Sequence, residues 1–218
     1  MTLVVDVRGL STRYGSVPVL RGVDFGLARA EVVGLIGRNG SGKTTFLRTL
    51  LGLARFEAGR IEWTGTGTAV PPDAVDHFGG AHTLPPHVQA NIWVRLVSRG
   101  DAVCDDRRPL RALSRGSRQL LGLRAVLART PLAAVLLDEP WEGLDPDGAR
   151  WLTETLRRRR KEGCAFLVSS HRLHDLAALC DRYAFLRDGR LEVRSAGDFA
   201  GRTVEGADLL RTFDRIDS

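Results

Sequence analysis

Apolar and polar positions recur along this chain with two different periods, and the changes of period mark its elements. Leu3 to Val7 and Val19 to Phe25 alternate at the two-residue spacing of half-buried strands and are joined by a turn around Tyr14-Gly15. Glu31-Val32-Val33-Gly34-Leu35-Ile36 is nearly unbroken apolar sequence, the mark of a short strand buried on both faces. Thr45 to Leu51 reads as a helix. Gly59 to Trp63 reads as a short strand, Thr64 to Thr68 as a flexible turn, and Val75 to Phe78 as a strand closed by Gly79-Gly80. Leu84-Pro85-Pro86 sets a rigid corner before a helix from about Val88 to Val97, whose Trp93 faces either the core or a partner. Residues 99–108 are charged and loop-like. Pro109 to Leu113 forms a helical turn, and a longer helix follows to about Arg129 with a stripe of Leu120, Leu121, Leu123 and Leu127.

The second half repeats the rhythm. Leu132 to Leu137 is an apolar run closed by Asp138-Glu139-Pro140. A helix runs from Pro146 to about Lys161 with Asp145 as its N-cap. Ala165 to Val168 is a strand leading into Ser169-Ser170-His171. Arg182 to Arg187 and Arg190 to Val193 form a hairpin about Asp188-Gly189, and a weak helix lies near Asp208 to Phe213. Strands alternating with helices predict an α/β fold with a parallel central sheet. There is no internal repeat.

Composition narrows this only slightly. A chain of 218 residues with 43% hydrophobic content holds one large domain or two small lobes with a real core. It lacks an apolar run of about 18 residues, and its opening six residues do not have the layout of a signal peptide. A cytoplasmic protein is therefore expected. The formal charge is +6, and lysine occurs only at Lys43 and Lys161. So basic a chain is able to meet nucleic acid or an anionic membrane face. The densest run, Arg157 to Lys161, instead closes a predicted helix, where it complements the helix dipole. A generally basic surface is expected, with no specific nucleic-acid site. Cys104, Cys164 and Cys180 form no C-x-x-C pair and read as reduced, mostly buried thiols. His77, His82 and His87 do not share a helix face, so no metal site is expected from the three together.

The chemistry gathers at the ends of the apolar runs. Gly37-Arg38-Asn39-Gly40-Ser41-Gly42-Lys43-Thr44 fits G-x-x-x-x-G-K-[ST], a loop whose backbone N–H groups converge on phosphate. A strand precedes it and a helix follows, so phosphate would lie at a positive helix terminus. Lys43 supplies a compact cation and Thr44 a hydroxyl for Mg²⁺; with Thr45 these residues make the expected phosphate site. Asp138 and Glu139 stand at the carboxyl end of a buried strand, where open α/β sheets collect ligands. Asp138 suits Mg²⁺, and Glu139 suits orienting and deprotonating a water. His171 ends another strand at the same edge. Tyr14 either packs at a strand end or stacks on a base. On spacing alone Ser114 is a helix N-cap.

The order of these motifs resembles the ATP-binding subunits of ABC transporters over about residues 3–195. Leu113-Ser114-Arg115-Gly116-Ser117-Arg118-Gln119 is similar to the signature L-S-G-G-Q. Val135 to Pro140 is similar to the Walker B strand, Gly143-Leu144-Asp145 to the D-loop, His171 to the switch histidine and Tyr14 to the aromatic A-loop. The resemblance implies a P-loop NTPase of the ABC type: a RecA-like mixed-sheet core, an N-terminal antiparallel β subdomain and a short helical lobe. Within a single domain of residues 1–218, residues 1–80 and 131–195 would form the core, 81–130 the helical lobe and 196–218 a tail. It also implies two subunits, identical or different, closing head to tail on ATP and Mg²⁺. Ser114 and Gly116 of one would cover ATP in the other, Glu139 would prime the water, His171 would steady the γ-phosphate, and Asp145 would link the two sites. An integral membrane transporter subunit, an inner-face location and export are the further implications. A soluble relative acting on nucleic acid or ribosomes, or a low-turnover switch, is the alternative.

Three departures stand out. Arg115 and Ser117 replace a glycine and the glutamine of the signature. No glutamine occupies the Gly79-to-Thr83 segment, leaving His82 as the nearest candidate beside Mg²⁺. Ser114 follows His82 by only 32 positions, so the helical lobe is trimmed.

Overall fold

The computed structural model describes residues 2–69, 71–199 and 204–215. Strands β1 (Leu3–Tyr14) and β2 (Val17–Ala28) form an antiparallel ribbon joined on its other side by β4 (Ala58–Trp63), in the order β2-β1-β4. A second sheet has the order β5-β6-β7-β3-β8-β9, built from β3 (Val32–Ile36), β5 (Val75–Phe78), β6 (Ala134–Asp138), β7 (Ala165–Ser169), β8 (Arg182–Arg187) and β9 (Arg190–Ser195). Its first five strands are parallel and β9 closes the edge antiparallel. Helices α1 (Lys43–Leu50), α2 (Ala90–Val97), α3 (Arg115–Ala128), α4 (Pro146–Lys161), α5 (Leu173–Ala177) and α6 (Gly206–Arg215) complete the chain. The mixed core, antiparallel β unit and helical lobe expected of the fold class are all present.

The apolar runs at the centre of the larger sheet serve two cores at once. Along β3, Val32 and Ile36 face one cluster while Val33 and Leu35 face the other. β7 repeats this with Phe166 and Val168 against Ala165 and Leu167. Side chains of a strand alternate between faces, so a strand covered on both sides must be apolar at every position. The bulkier set, with Phe166, Tyr183 and Phe185, packs beneath residues from α2, α3, α4, α5 and α6. The other face packs on the antiparallel unit and on Phe46, Leu47 and Leu50 of α1. A part-buried ion pair sits where the two sheets meet: Glu31, 4% exposed, takes two hydrogen bonds from Arg182 at 2.6 and 2.9 Å and one from the Ala28 N–H of β2 at 2.9 Å.

Some elements differ from the sequence expectation. β1 and β2 are twelve residues each, because register shifts let the ribbon continue where the alternation breaks. On α3 the buried positions are Gln119, Gly122, Leu123, Ala125, Val126 and Leu127, while Leu120 and Leu121 are only partly buried. The true stripe begins with a glutamine and a glycine, which apolar counting passes over. Trp93 is partly buried against the larger core. Helix α5 carries no cap signal, and α6 is longer than the weak helix predicted there.

Gly122 explains how closely α3 approaches the sheet. A Cβ there would fall 2.2 Å from Cε2 of the buried Phe78 on β5. Gly122→Val should therefore overpack this contact and destabilise the protein by about 1–3 kcal/mol, seen as a lowered thermal midpoint. An unchanged midpoint would refute the close packing.

Candidate nucleotide site

The loop from Gly37 to Gly42 joins β3 to α1, and its glycines are required by backbone shape. Gly40 and Gly42 have φ of +80° and +105°, a region that disfavours side chains. A Cβ at Gly37 would lie 2.7 Å from the Leu186 carbonyl oxygen. Lys43 opens α1 and is 7% exposed. Its Nζ donates to the Gly37 carbonyl at 2.8 Å and the Arg38 carbonyl at 3.4 Å, and lies 3.6 Å from Glu139 Oε1.

The strand ends bring the remaining groups to the same place. Thr44 Oγ1 donates to Asp138 Oδ2 at 2.6 Å, and Ser169 Oγ donates to Asp138 Oδ1 at 2.5 Å. The Glu139 N–H donates to Ser169 Oγ at 3.0 Å. Glu139 has φ of +48°, unusual for this residue type, and its Oε2 accepts from the His171 N–H at 3.1 Å and lies 2.8 Å from His171 Nδ1. Glu139 thus stands between a lysine and a histidine. Behind His171, Arg172 pairs with Asp175 at 3.0 Å; burial pushes the Asp175 carboxyl up, against the pull of Arg172, His174 and His171.

A cavity of about 450 Å³ reaches from Tyr14 to Glu139 beside these groups. Arg38, Asn39, Gly40, Gly42, Lys43, Thr44 and Thr45 line it, as do His82, Asp138 and Glu139. Tyr14 is 72% exposed at the rim, which fits a ring available for stacking better than one packed at a strand end. The donor set fits a magnesium–triphosphate: a glycine cradle, a buried lysine, and the hydroxyl and carboxylate oxygens of Thr44 and Asp138. Mg²⁺ is held by one or two carboxylates together with phosphate oxygens and water. No group of three or more His, Cys, Asp or Glu able to hold a metal occurs among the described residues.

Other expected site residues are not in this cavity wall. Ser114 caps α3, accepting from the Ser117 N–H at 3.1 Å and donating to Ser117 Oγ at 2.8 Å. Gly116 packs against the Gly143 carbonyl, which a Cβ would meet at 2.6 Å. Asp145 caps α4, accepting from the Gly148 N–H at 2.7 Å. Gly37 holds Lys43 from below, Ser41 lines a neighbouring hollow with Arg21 and Leu186, and His171 reaches the site through Glu139.

Sequence reasoning missed two residues here. Gln119 is buried on α3; its Oε1 accepts from the Ala81 N–H at 2.8 Å, and its Nε2 donates to the carbonyls of Pro140 at 3.0 Å and Glu139 at 3.4 Å. An amide with paired donor and acceptor is therefore present, although the Gly79-to-Thr83 segment supplies none. A lone glutamine at helical spacing from Leu123 and Val126 was the available signal. Glu142 is the second, and it lines the cavity beside Arg115. The cysteines behave as expected: burial pushes the Cys164 thiol up to about 12 and the Cys180 thiol higher still, while Cys104 is partly exposed.

A glycine phosphate loop between the central parallel strand β3 and a helix, with acids at the end of β6 two places along the sheet, defines a P-loop nucleotide-binding protein. The family model described as ABC transporter matches residues 20–142. The chain belongs to the ABC transporter family and is an ATP-binding subunit. It is 37% identical over 210 residues to the zinc import ATP-binding protein ZnuC of Alkalilimnicola ehrlichii, covering 89% of this chain and 78% of that one. It is 32% identical over 210 residues to a fluoroquinolones export ATP-binding protein of Mycobacterium tuberculosis, covering 87% and 70%. Among solved structures, an ATP-binding subunit of an ABC transporter superposes with a TM-score of 0.85 at 23% identity, over 98% of this chain and all of that one. The cbiO1 protein of Clostridium perfringens, part of the ABC transporter complex cbiONQ, superposes with a TM-score of 0.72 at 18% identity, over 99% and 96%.

Tyr14→Ala should weaken ATP binding about 5- to 150-fold, because base–aromatic stacking contributes roughly 1–3 kcal/mol. Tyr14→Phe should retain it. Equal affinity in parent and alanine variant, measured by nucleotide titration, would assign Tyr14 no part in base binding.

Proposed function

We propose that this chain is the ATP-hydrolysing motor of a membrane transporter, docked on a separate integral membrane subunit at the cytoplasmic face. Two ATP-binding subunits, identical or different, close head to tail on ATP and Mg²⁺ and reopen after hydrolysis. The phosphate loop from Gly37 to Thr45 cradles the phosphates, and Lys43 neutralises them. Thr44 and Asp138 hold Mg²⁺, which supplies charge neutralisation at the transferring phosphoryl group, with His82 on the wall nearby. Glu139 orients and deprotonates the attacking water, and His171 steadies both Glu139 and the terminal phosphate. Ser114 and Gly116, free of their own cavity, are placed to cover ATP on the second subunit, and Asp145 joins the two sites. Phosphoryl transfer needs chiefly positioning and charge stabilisation, which this arrangement provides.

The convergence of Lys43, Glu139 and His171 within hydrogen-bond or ion-pair reach carries this reading. No described helix is long and apolar enough to cross a membrane. Direction belongs to the membrane subunit: relatives sharing this motor are named for zinc import and for fluoroquinolone export alike. The basic surface does not call for nucleic acid, because the densest arginine run is engaged within the chain. Arg157 donates to the Ala178 carbonyl at 3.3 Å, Arg158 pairs with Glu162 at 3.0 Å, Arg159 donates to the Arg129 carbonyl at 2.6 Å, and Arg160 pairs with Asp181.

Isolation of the tagged chain from detergent-solubilised membranes tests the reading. It should bring down an integral membrane protein, with ATP turnover in the complex. A chain recovered only in the soluble fraction, or one binding nucleic acid with strong salt dependence, would argue against it.

A further inference from the structure

Resting on the motor reading above, we propose that Arg115 is an additional cation for the terminal phosphate of a bound nucleoside triphosphate. Glu142 holds it in reserve until that phosphate arrives. Arg115 Nη2 lies 2.5 Å from Glu142 Oε1, and both side chains line the cavity that contains Lys43 and Glu139. Their side chains are 65% and 47% exposed, so the pair is screened and readily exchanged.

The backbone beneath the pair is fixed even though the pair is not. Gly116 sits so close to Gly143 that a Cβ would come within 2.6 Å of its carbonyl oxygen, and the stem of Arg115 lies across Gly143 itself. One helical turn further on, Gln119 binds the carbonyls of Glu139 and Pro140. The start of α3 is therefore seated at the phosphate end of the cavity, away from the rim at Tyr14.

Charge gives the pair its purpose. Asp138, Glu139 and Glu142 are all acids on this wall. Unpaired, Glu142 would repel an arriving phosphate. Paired, it presents a planar guanidinium that can pass from carboxylate to phosphate, two anions it matches equally well in geometry. A diphosphate lacks the group that draws it across. Arg115 therefore favours ATP over ADP. The phosphate it meets is either in its own chain's cavity or in that of a second copy facing it.

Nucleotide titration of the full chain with Mg²⁺–ATP and with ADP tests this. Arg115→Ala should weaken ATP about tenfold, a difference of about 1.4 kcal/mol, and leave ADP within about twofold. Arg115→Lys should fall between, keeping charge without the fork. Glu142→Gln should tighten ATP several-fold, and adding it to Arg115→Ala should recover part of the lost ATP affinity, because the unpaired acid facing the phosphate is then gone. A thermal midpoint equal to the parent's separates these effects from misfolding. Mixing Arg115→Ala with Lys43→Ala subunits locates the phosphate: restored ATP affinity places it on the second copy, and no restoration places it in the same chain. Equal losses for ATP and ADP, or no loss for ATP, would overturn the role of Arg115. A parent protein that binds neither nucleotide would instead remove the motor reading beneath it.

Discussion

Turnover should collapse in Glu139→Gln while ATP remains bound. The carboxylate holds three positions at once: near Lys43 at 3.6 Å, on the His171 N–H at 3.1 Å, and beside His171 Nδ1 at 2.8 Å. An amide is nearly isosteric and still accepts from the His171 backbone, so the strand ends stay in place. It cannot take a proton from water. Loss of a positioned general base lowers rates about 10²- to 10⁴-fold. Binding should move the other way, because a negative side chain facing the terminal phosphate has become neutral. Single-turnover hydrolysis of radiolabelled ATP, beside an equilibrium binding measurement, checks both halves. Similar hydrolysis rates in parent and variant would transfer the base role elsewhere, with His171 the next residue to test.

The parts of this site that the sequence displayed are those whose chemistry is local. A phosphate loop needs its glycines and lysine in consecutive order, since one turn of backbone makes the whole cradle. Asp138 and Glu139 were legible because six apolar residues from Leu132 lead directly into them. Other features depend on packing between distant segments, which no single stretch encodes. Gln119 bridges Ala81 and Pro140 only after α3 has docked on β5, and docking requires the missing side chain at Gly122. The Arg115–Glu142 pair joins residues 27 positions apart. The length of β1 and β2 was concealed by register shifts that break the alternation counted from sequence. Short α5 lacks a side-chain cap and the length to show a period. The basic run of α4 looked like a solvated helix end, yet Arg159 is buried and turned onto a backbone carbonyl.

Lys43→Ala should abolish useful nucleotide binding without unfolding the chain. Lys43 is the most buried cation facing the cavity, and its Nζ is prepositioned by the Gly37 and Arg38 carbonyls. Removing it takes away the partner of incoming phosphate and also uncovers Glu139, leaving two acids at the strand end to repel a polyanion. Hydrogen bonds to charged groups contribute about 1.5–3 kcal/mol each. Two such bonds to phosphate oxygens amount to a loss of roughly 10²- to 10³-fold in affinity or more. Lys43→Arg should not rescue it, because a planar guanidinium cannot occupy the narrow space between the loop carbonyls and Glu139 that a compact ammonium fills. Fluorescent-nucleotide titration reads the affinity, and circular dichroism confirms that the fold persists. Parent-like affinity in Lys43→Ala would mean that ATP binds elsewhere, and with that the roles given to Thr44, Asp138 and Glu139 would lose their common centre.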